Sequence, residues 1–376
     1  MKNHNKLNIL LIGQPYCAVN IKSFLDNILE ALKPNSTSIF VISAYIIQGK
    51  KILSYRIKNK KKRNSIPGKI VINLYNQFVF CKYLLKNKFD LVIYLPQFYI
   101  FPILLLKIMK KPIILYMGGR ASKSIGESEN KIIRTFILAF EKIIFQLVDY
   151  IVVESYSVIK WLELEKYRNK IFICPQWVDL KKFQMIKSPN KRKYHAAYIG
   201  GLSNEKGGLA FINTIELFSS SDNFVDYKFL IVGNGIYQNR MLELVNKGML
   251  NDDNFLYLDW VDHELIPSIL QNVKILIVPS ASEGLPNIVL EAMASGAIVL
   301  ATKVGAIPDI IIHGRNGFIL NDQMPSTIRD NIIYINSIEE NEINNILISA
   351  REKIEEIYSK EACIERWHNI LFTISK

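Results

Sequence analysis

The chain has 376 residues, 49% hydrophobic and 22% charged, which suits a folded protein of two domains and excludes a disordered one. Its cysteines, Cys17, Cys81, Cys174 and Cys363, contain no CxxC pair, so neither a disulfide framework nor a zinc site is expected, and a reducing cytoplasm is the default compartment. The net charge of +13 is uneven: residues 1–190 hold 31 Lys/Arg against 11 Asp/Glu, and residues 191–376 hold 16 against 23, so the first half suits an anionic partner.

In chain order, polar MKNHNK leads directly into the strand-like LNILLIG, which is too short and too strand-like for a signal peptide. Strands are expected at Leu7–Gly13, Ser38–Tyr45, Phe89–Leu95, Pro112–Met117, Tyr150–Glu154 and Lys170–Cys174, with helical patterns between most of them, such as Val19–Leu32 and Lys131–Val148. The densest basic stretch, Lys50–Arg63, reads as a solvated loop or as a contact for an anionic membrane surface. No recognition motif accompanies it, so nucleic acid is not expected as a partner. Pro96 and Pro102 divide the apolar run Leu91–Leu106, which falls short of the ~20 residues needed to span a bilayer. It reads as a buried strand followed by a helix over Tyr99–Met109. Lys107, Lys110 and Lys111 form a basic collar at the helix end, and core packing is preferred to interfacial docking.

The second half repeats the scheme. Strands are expected at Ala196–Gly200, Lys228–Val232, Asn254–Leu258, Lys274–Val278 and Ala297–Ala301, and helices at Leu209–Phe218, Tyr237–Asn246, His263–Gln271 and Pro286–Ala294. Such alternation implies right-handed βαβ units and parallel sheets. The polar stretch Lys181–Lys193 is the expected junction, giving an α/β chain of two Rossmann-like domains facing across a cleft.

The loops after these later strands carry the candidate site. In Ile199–Gly208, IGGLSNEKGG, Gly200 and Gly201 let backbone approach a ligand and Lys206 supplies positive charge; a glycine turn with a solvated lysine is the plainer alternative. In IVGNG, Gly233 and Gly235 fit a nucleotide wall or an ordinary turn. In LDWVD, Trp260 fits either core or ligand contact, and backbone around Val261 can meet a base edge. The stretch KILIVPSASEGLPNIVLEAMASGAIVLATKV, Lys274–Val304, reads as strand, polar loop, helix and strand. Pro286 is expected at the first helical position and Gly296 as a left-handed stop. Glu283 lies in the loop and Glu291 eight residues later; they fit a nucleotide-sugar site, a glycosidase pair, or plain structural glutamates. VGAIPD, Val304–Asp309, is expected to wall the same crevice.

EGLPNIVLE resembles the E-x7-E pattern of retaining GT-B glycosyltransferases of the group 1, or family 4, type. The resemblance extends through IGGLSNEKGG, IVGNG, LEAMASGAIVLATKVGAIPDII and HGRNGF in order, while the first half matches in layout only. CPQWVDLKKF, Cys174–Phe183, looks like the interdomain segment of that family. The resemblance implies an acceptor domain over 1–185, a donor domain over 186–355, and a C-terminal helix over 356–376, with Trp367, crossing back to the first domain.

It also implies site roles. Glu283 would contact donor-sugar hydroxyls and Glu291 the nucleotide ribose. Backbone of Gly284, Leu285, Pro286 and Asn287 would meet sugar and diphosphate, and Lys206 would neutralise the leaving diphosphate. The implied partners are a UDP-, GDP- or dTDP-sugar and a glycan or polyprenyl-diphosphate-linked acceptor, with no metal and no cofactor beyond the substrate itself. The setting would be capsule or lipopolysaccharide assembly, cytoplasmic or peripheral at the inner face of the membrane.

Two positions depart from the family. Gly201 stands where arginine is usual, and YMGGR, Tyr116–Arg120, stands where a histidine is usual, so Arg120 is expected either to replace the missing charge or to lie on the surface. A nucleotide-sugar epimerase of the same architecture and a membrane-associated scaffold without turnover are the competing functions.

Overall fold

Short β-branched runs alternating with longer helical stretches produce two parallel sheets. A computed structural model describes residues 6–12, 19–43, 52–56, 66–95, 99–117, 131–220, 226–246 and 253–375. The chain divides into two units: Met1–Gln176 with Cys363–Lys376, and Trp177–Ala362.

In the first unit the elements are β1 (Leu7–Ile12), α1 (Val19–Leu32), β2 (Ser36–Ser43), β3 (Ile52–Arg56), α2 (Ile66–Lys86), β4 (Leu91–Tyr94), α3 (Ile100–Ile108), β5 (Ile113–Met117), α4 (Lys131–Leu147), β6 (Tyr150–Val153), α5 (Tyr156–Trp161) and β7 (Ile171–Ile173). All seven strands run parallel in the order β3-β2-β1-β4-β5-β6-β7. The central strands are fully buried because helices cover both faces, which is why their sequences are unbroken apolar runs.

The second unit contains β8 (Tyr194–Ile199), α6 (Gly208–Ser219), β9 (Phe229–Val232), α7 (Gln238–Asn246), β10 (Phe255–Leu258), α8 (Ile266–Leu270), β11 (Val273–Val278), α9 (Asn287–Ala294), β12 (Ile298–Thr302), α10 (Ile307–Ile310), β13 (Phe318–Leu320), α11 (Pro325–Ser337) and α12 (Glu340–Tyr358). Its six parallel strands run β10-β9-β8-β11-β12-β13. The order reverses between β8 and β11, and open α/β sheets bind ligands at the carboxyl ends of strands flanking such a point. The last helix, α13 (Lys360–Ile374), lies mostly in the first unit, where buried Trp367 stacks on Tyr116 with ring centroids 6.2 Å apart.

Several expectations need correction. The basic stretch Lys50–Arg63, read as a loop, contains β3, an edge strand paired with β2; its flanking lysines mask a short run of Ile52, Leu53 and Tyr55. The rest of that stretch lies outside the described residues. The helix α2 was not expected, because its apolar residues are spread around the whole cylinder. β13 has only three residues and shows no period. Pro286 is not the first helical residue: it stays extended at ψ 107°, and α9 begins at Asn287. Gly296 does adopt the expected left-handed conformation, φ +71°.

The polar stretch 181–193, expected as the junction, lies inside the second unit. The units divide at Gln176/Trp177, before the expected boundary at 185. Phe183 is buried, and the Arg192 guanidinium donates to the carbonyls of Leu270, Val273 and Ser295 at 2.8, 2.9 and 2.7 Å. Burial pulls the Arg192 pKa down to about 10. Within this polar stretch, one buried arginine ties three backbone segments together. α3, expected as core, packs into the core on one face only, through Pro102, Ile103 and Leu106.

Candidate functional site

Because all strands of the second sheet are parallel, the loops that leave β8, β9, β10, β11 and β12 emerge at one edge. Backbone hydrogen bonds join them there. Gly200 N–H donates to Val232 O at 2.9 Å, Leu202 N–H to Asn234 O at 2.8 Å, Ala281 N–H to Glu205 O at 2.8 Å and Ala306 N–H to Gly284 O at 2.9 Å. The loops approach so closely that side chains would not fit. A Cβ on Gly233, whose φ is +129°, would lie 2.1 Å from Gly200 O; one on Gly305, at φ +54°, would lie 2.0 Å from Glu283 O.

Against this frame the structure brings Lys206 and Glu283 into contact. The Lys206 ammonium lies 2.8 Å from Glu283 Oε2, and Ser280 Oγ donates to Glu283 Oε1 at 2.7 Å. The carboxylate is only 9% exposed, while Lys206 is 39% exposed and open to a partner. The lysine loop is braced from beneath by buried Tyr198, whose hydroxyl donates to Gly201 O at 2.7 Å and lies 3.3 Å from Lys206 O. Burial, with the Glu283 charge adding to it, raises the phenol pKa and keeps that donor protonated.

Glu291 sits one turn into α9, 7% exposed, with Oε1 2.8 Å from His263 Nε2. His263 follows β10 and opens a short 3-10 turn capped by the Asp262 side chain. The hydrogen bond to Glu291 raises the His263 pKa above its usual value, against the lowering effect of partial burial. A buried carboxylate at a sheet's ligand edge is thus held by a half-exposed, titratable donor.

The remaining expected residues lie on the same loops. Gly200 and Gly233 pack backbone on backbone, Gly201 is exposed, Gly284 is partly exposed, Leu285 and Pro286 are buried, and Asn287 is exposed at the start of α9. Val261 is half-buried. Trp260 is 64% exposed, so its reading as core is overturned. Arg120 and the glycines before it lie outside the described residues.

Sequence reasoning missed His263, Tyr198 and Ser280. A signal existed for His263: an Asp-His pair in the loop after a strand, before the next helix, places an imidazole at the ligand edge of a parallel sheet. Tyr198 carries no such signal, since it reads as an ordinary apolar strand residue.

Residues 193–337 match the family model described as glycosyl transferases group 1. The chain is 22% identical to a putative colanic acid biosynthesis glycosyltransferase of Salmonella typhimurium, over 55% of this chain and 52% of that protein. It spans about half the length of the curated relatives it matches. Among solved structures it resembles sucrose-phosphate synthase from Thermosynechococcus elongatus, with a TM-score of 0.78 at 15% identity over 98% of this chain and 99% of that one. It also resembles Anabaena HepE in complex with UDP-glucose, with a TM-score of 0.71 at 13% identity over 98% and 100%. At these identities the likeness shows the fold, two Rossmann-like parallel-sheet units of the GT-B type.

Proposed function

We propose, from the match of residues 193–337 to the family model described as glycosyl transferases group 1, that the protein transfers a sugar from a nucleotide-diphosphate donor to a glycan acceptor in cell-surface polysaccharide assembly. The observation that carries this reading is the Lys206–Glu283 pair, whose glutamate lies in the loop that leads into α9, the helix holding the buried Glu291. Relatives support the setting: one is named for colanic acid biosynthesis and another lies in a cps region.

In this reading Glu291 accepts from ribose hydroxyls and Glu283 from hydroxyls of the donor sugar. Lys206 and the amides at the start of α9 face the diphosphate, where negative charge develops as the glycosidic bond breaks. The C1–phosphate bond breaks, the bond from C1 to the acceptor oxygen forms on the same face, and the acceptor proton passes to the departing diphosphate. Retention of configuration follows without a strong protein base. Arg120 is proposed as a second cation for the diphosphate; unchanged turnover and donor affinity in Arg120→Ala would remove it. The acceptor is proposed to be lipid-linked, on a polyprenyl diphosphate.

The test is a thermal-shift panel of UDP-, GDP- and dTDP-sugars on the purified chain, followed by transfer of radiolabelled sugar from the donor that stabilises it. A bound nucleotide sugar raises the melting temperature by mass action, and 100 Kd of ligand adds about 2.7 kcal/mol. Absence of a shift with every nucleotide sugar would leave a scaffold that lacks donor binding. An epimerised donor without acceptor would identify an epimerase.

A further inference from the structure

Three helices of the first unit present apolar residues outward, and the proposed reaction uses none of them. The helices α2, α3 and α4 connect β3 to β4, β4 to β5 and β5 to β6, steps in one direction along the sheet. Right-handed crossovers therefore place all three on the same face, and α3 packs against both neighbours. α3 buries Pro102, Ile103 and Leu106 but turns Phe101, Leu104 and Ile108 outward at 53%, 40% and 78% exposure, a spacing of three and four residues that defines one stripe. On either side, Phe78 of α2 is 68% exposed and Phe136 of α4 is 73% exposed. Single exposed apolar residues are ordinary; a set shared by three adjacent helices marks an interaction face.

The charge on α2 and α3 is basic; Lys107 pairs with Asp149 at 2.6 Å, and α4 carries Glu141 beside Lys142. Residues 66–117 contain seven lysines against Asp90 alone. Lys82 and Lys86 on α2, and Lys107 and Lys110 at the end of α3, are exposed on the helices that carry the apolar stripe. Among the described residues no helix is long and apolar enough to cross a membrane. An apolar stripe ringed by lysines instead fits a surface that is anionic outside and apolar beneath.

We propose that the outward face of α2, α3 and α4 docks the protein on an anionic lipid bilayer. Phe78, Phe101 and Ile108 enter the headgroup boundary, and the surrounding lysines meet lipid phosphates. A second copy of this chain is a poorer occupant, because two-fold pairing would bring two lysine rings together. The docking is independent of glycosyl transfer and stands if that reading fails.

Co-sedimentation of the full chain with vesicles tests it. Binding is expected to phosphatidylglycerol vesicles but not to pure phosphatidylcholine, and to fall steeply with added salt. Phe78→Ser/Phe101→Ser/Ile108→Ser is expected to abolish it. Lys82→Glu/Lys110→Glu is expected to weaken it by roughly fivefold or more per lysine changed, while Ile333→Ser, in the second unit, leaves it intact. Because the triple variant could misfold, hydrogen exchange of the wild-type protein supplies a second readout: amides of residues 100–108 should slow in the presence of phosphatidylglycerol vesicles. Equal binding of both vesicle types, full binding by a folded triple variant, unchanged exchange over 100–108, or a salt-resistant dimer protecting those amides would each overturn the proposal.

Discussion

Lys206 is held 2.8 Å from a carboxylate that is itself nearly buried, so its ammonium has a fixed position at the edge of the sheet. In the proposed reaction, fixed positive charge at the leaving diphosphate is what the protein must supply. Removing one such donor from a preorganised site typically costs 10²–10³ in kcat, so Lys206→Met is expected to lower turnover by about that factor while leaving the far-ultraviolet spectrum unchanged. Turnover close to wild type would show that the lysine only pairs with Glu283. Gly201 offers the complementary experiment. A Cβ there meets only Asn234 O, at 3.9 Å, and Gly201 is exposed, so a side chain can leave this position without a clash at its root. A charge-assisted contact to diphosphate is worth about 1.5–3 kcal/mol; Gly201→Arg should tighten UDP by roughly tenfold in calorimetry. His263 adds a pH dependence. Its folded pKa is raised by Glu291, with Glu264 and Lys182 the other charges beside it. The stability it contributes is therefore complete below about pH 6.5 and is lost as pH rises through the raised folded value. Protonated His263 competes with a ribose for Glu291, so donor KM is expected to fall as pH rises through that window. His263→Gln should flatten the profile; a steep profile in that variant would assign the titration elsewhere.

At the scale of elements, the site rests on loops that touch through their backbones, and this made part of it legible in advance. Glycines, one lysine and one glutamate in the loops after strands, and a second glutamate in the helix that follows, announce themselves, because only certain residues suit a tight turn, a cation or a hydroxyl acceptor. The core strands were equally plain, since burial on both faces leaves unbroken runs such as Ile275–Val278. What escaped was decided by tertiary context. β3 lies in a lysine-rich stretch, α2 has no polar face to give it a period, and Arg192 looks like linker until three carbonyls are seen around it. Tyr198 and Ser280 act through hydrogen bonds that no spacing encodes. The loop contacts also predict a fragile point. Gly305 combines positive φ with a Cβ position 2.0 Å from Glu283 O, so Gly305→Ala must either strain its own backbone or push the Glu283 loop away. A loss of roughly 2 kcal/mol or more is expected in urea unfolding, with a higher donor KM. Wild-type values for both would mean that the loops yield easily.

For the whole molecule, the path of the chain ties the first unit to its own distant end. The described helix α13 returns Trp367 to the first unit, where it is 1% exposed against Tyr116. The Tyr116 hydroxyl in turn donates to Cys174 O at 3.1 Å, so the end of β5, the residue after β7 and the last helix form one cluster. The sequence offered Trp367 as a large apolar residue on a late helix, and resemblance implied only that the helix returns to the first domain; Tyr116, 251 positions earlier, could not be read as its partner. Truncating a buried tryptophan costs about 3–5 kcal/mol. The nucleotide residues proposed above all belong to the second unit, apart from Arg120. Trp367→Ala should therefore lower the unfolding temperature of the first unit in calorimetry, yet leave UDP affinity within about twofold of wild type, as expected for distant sites without shared partners. Loss of UDP binding in parallel with the lowered melting would mean that the second unit depends on the first for its donor site. The separation argued here, donor chemistry in one unit and lipid docking in the other, would then fail.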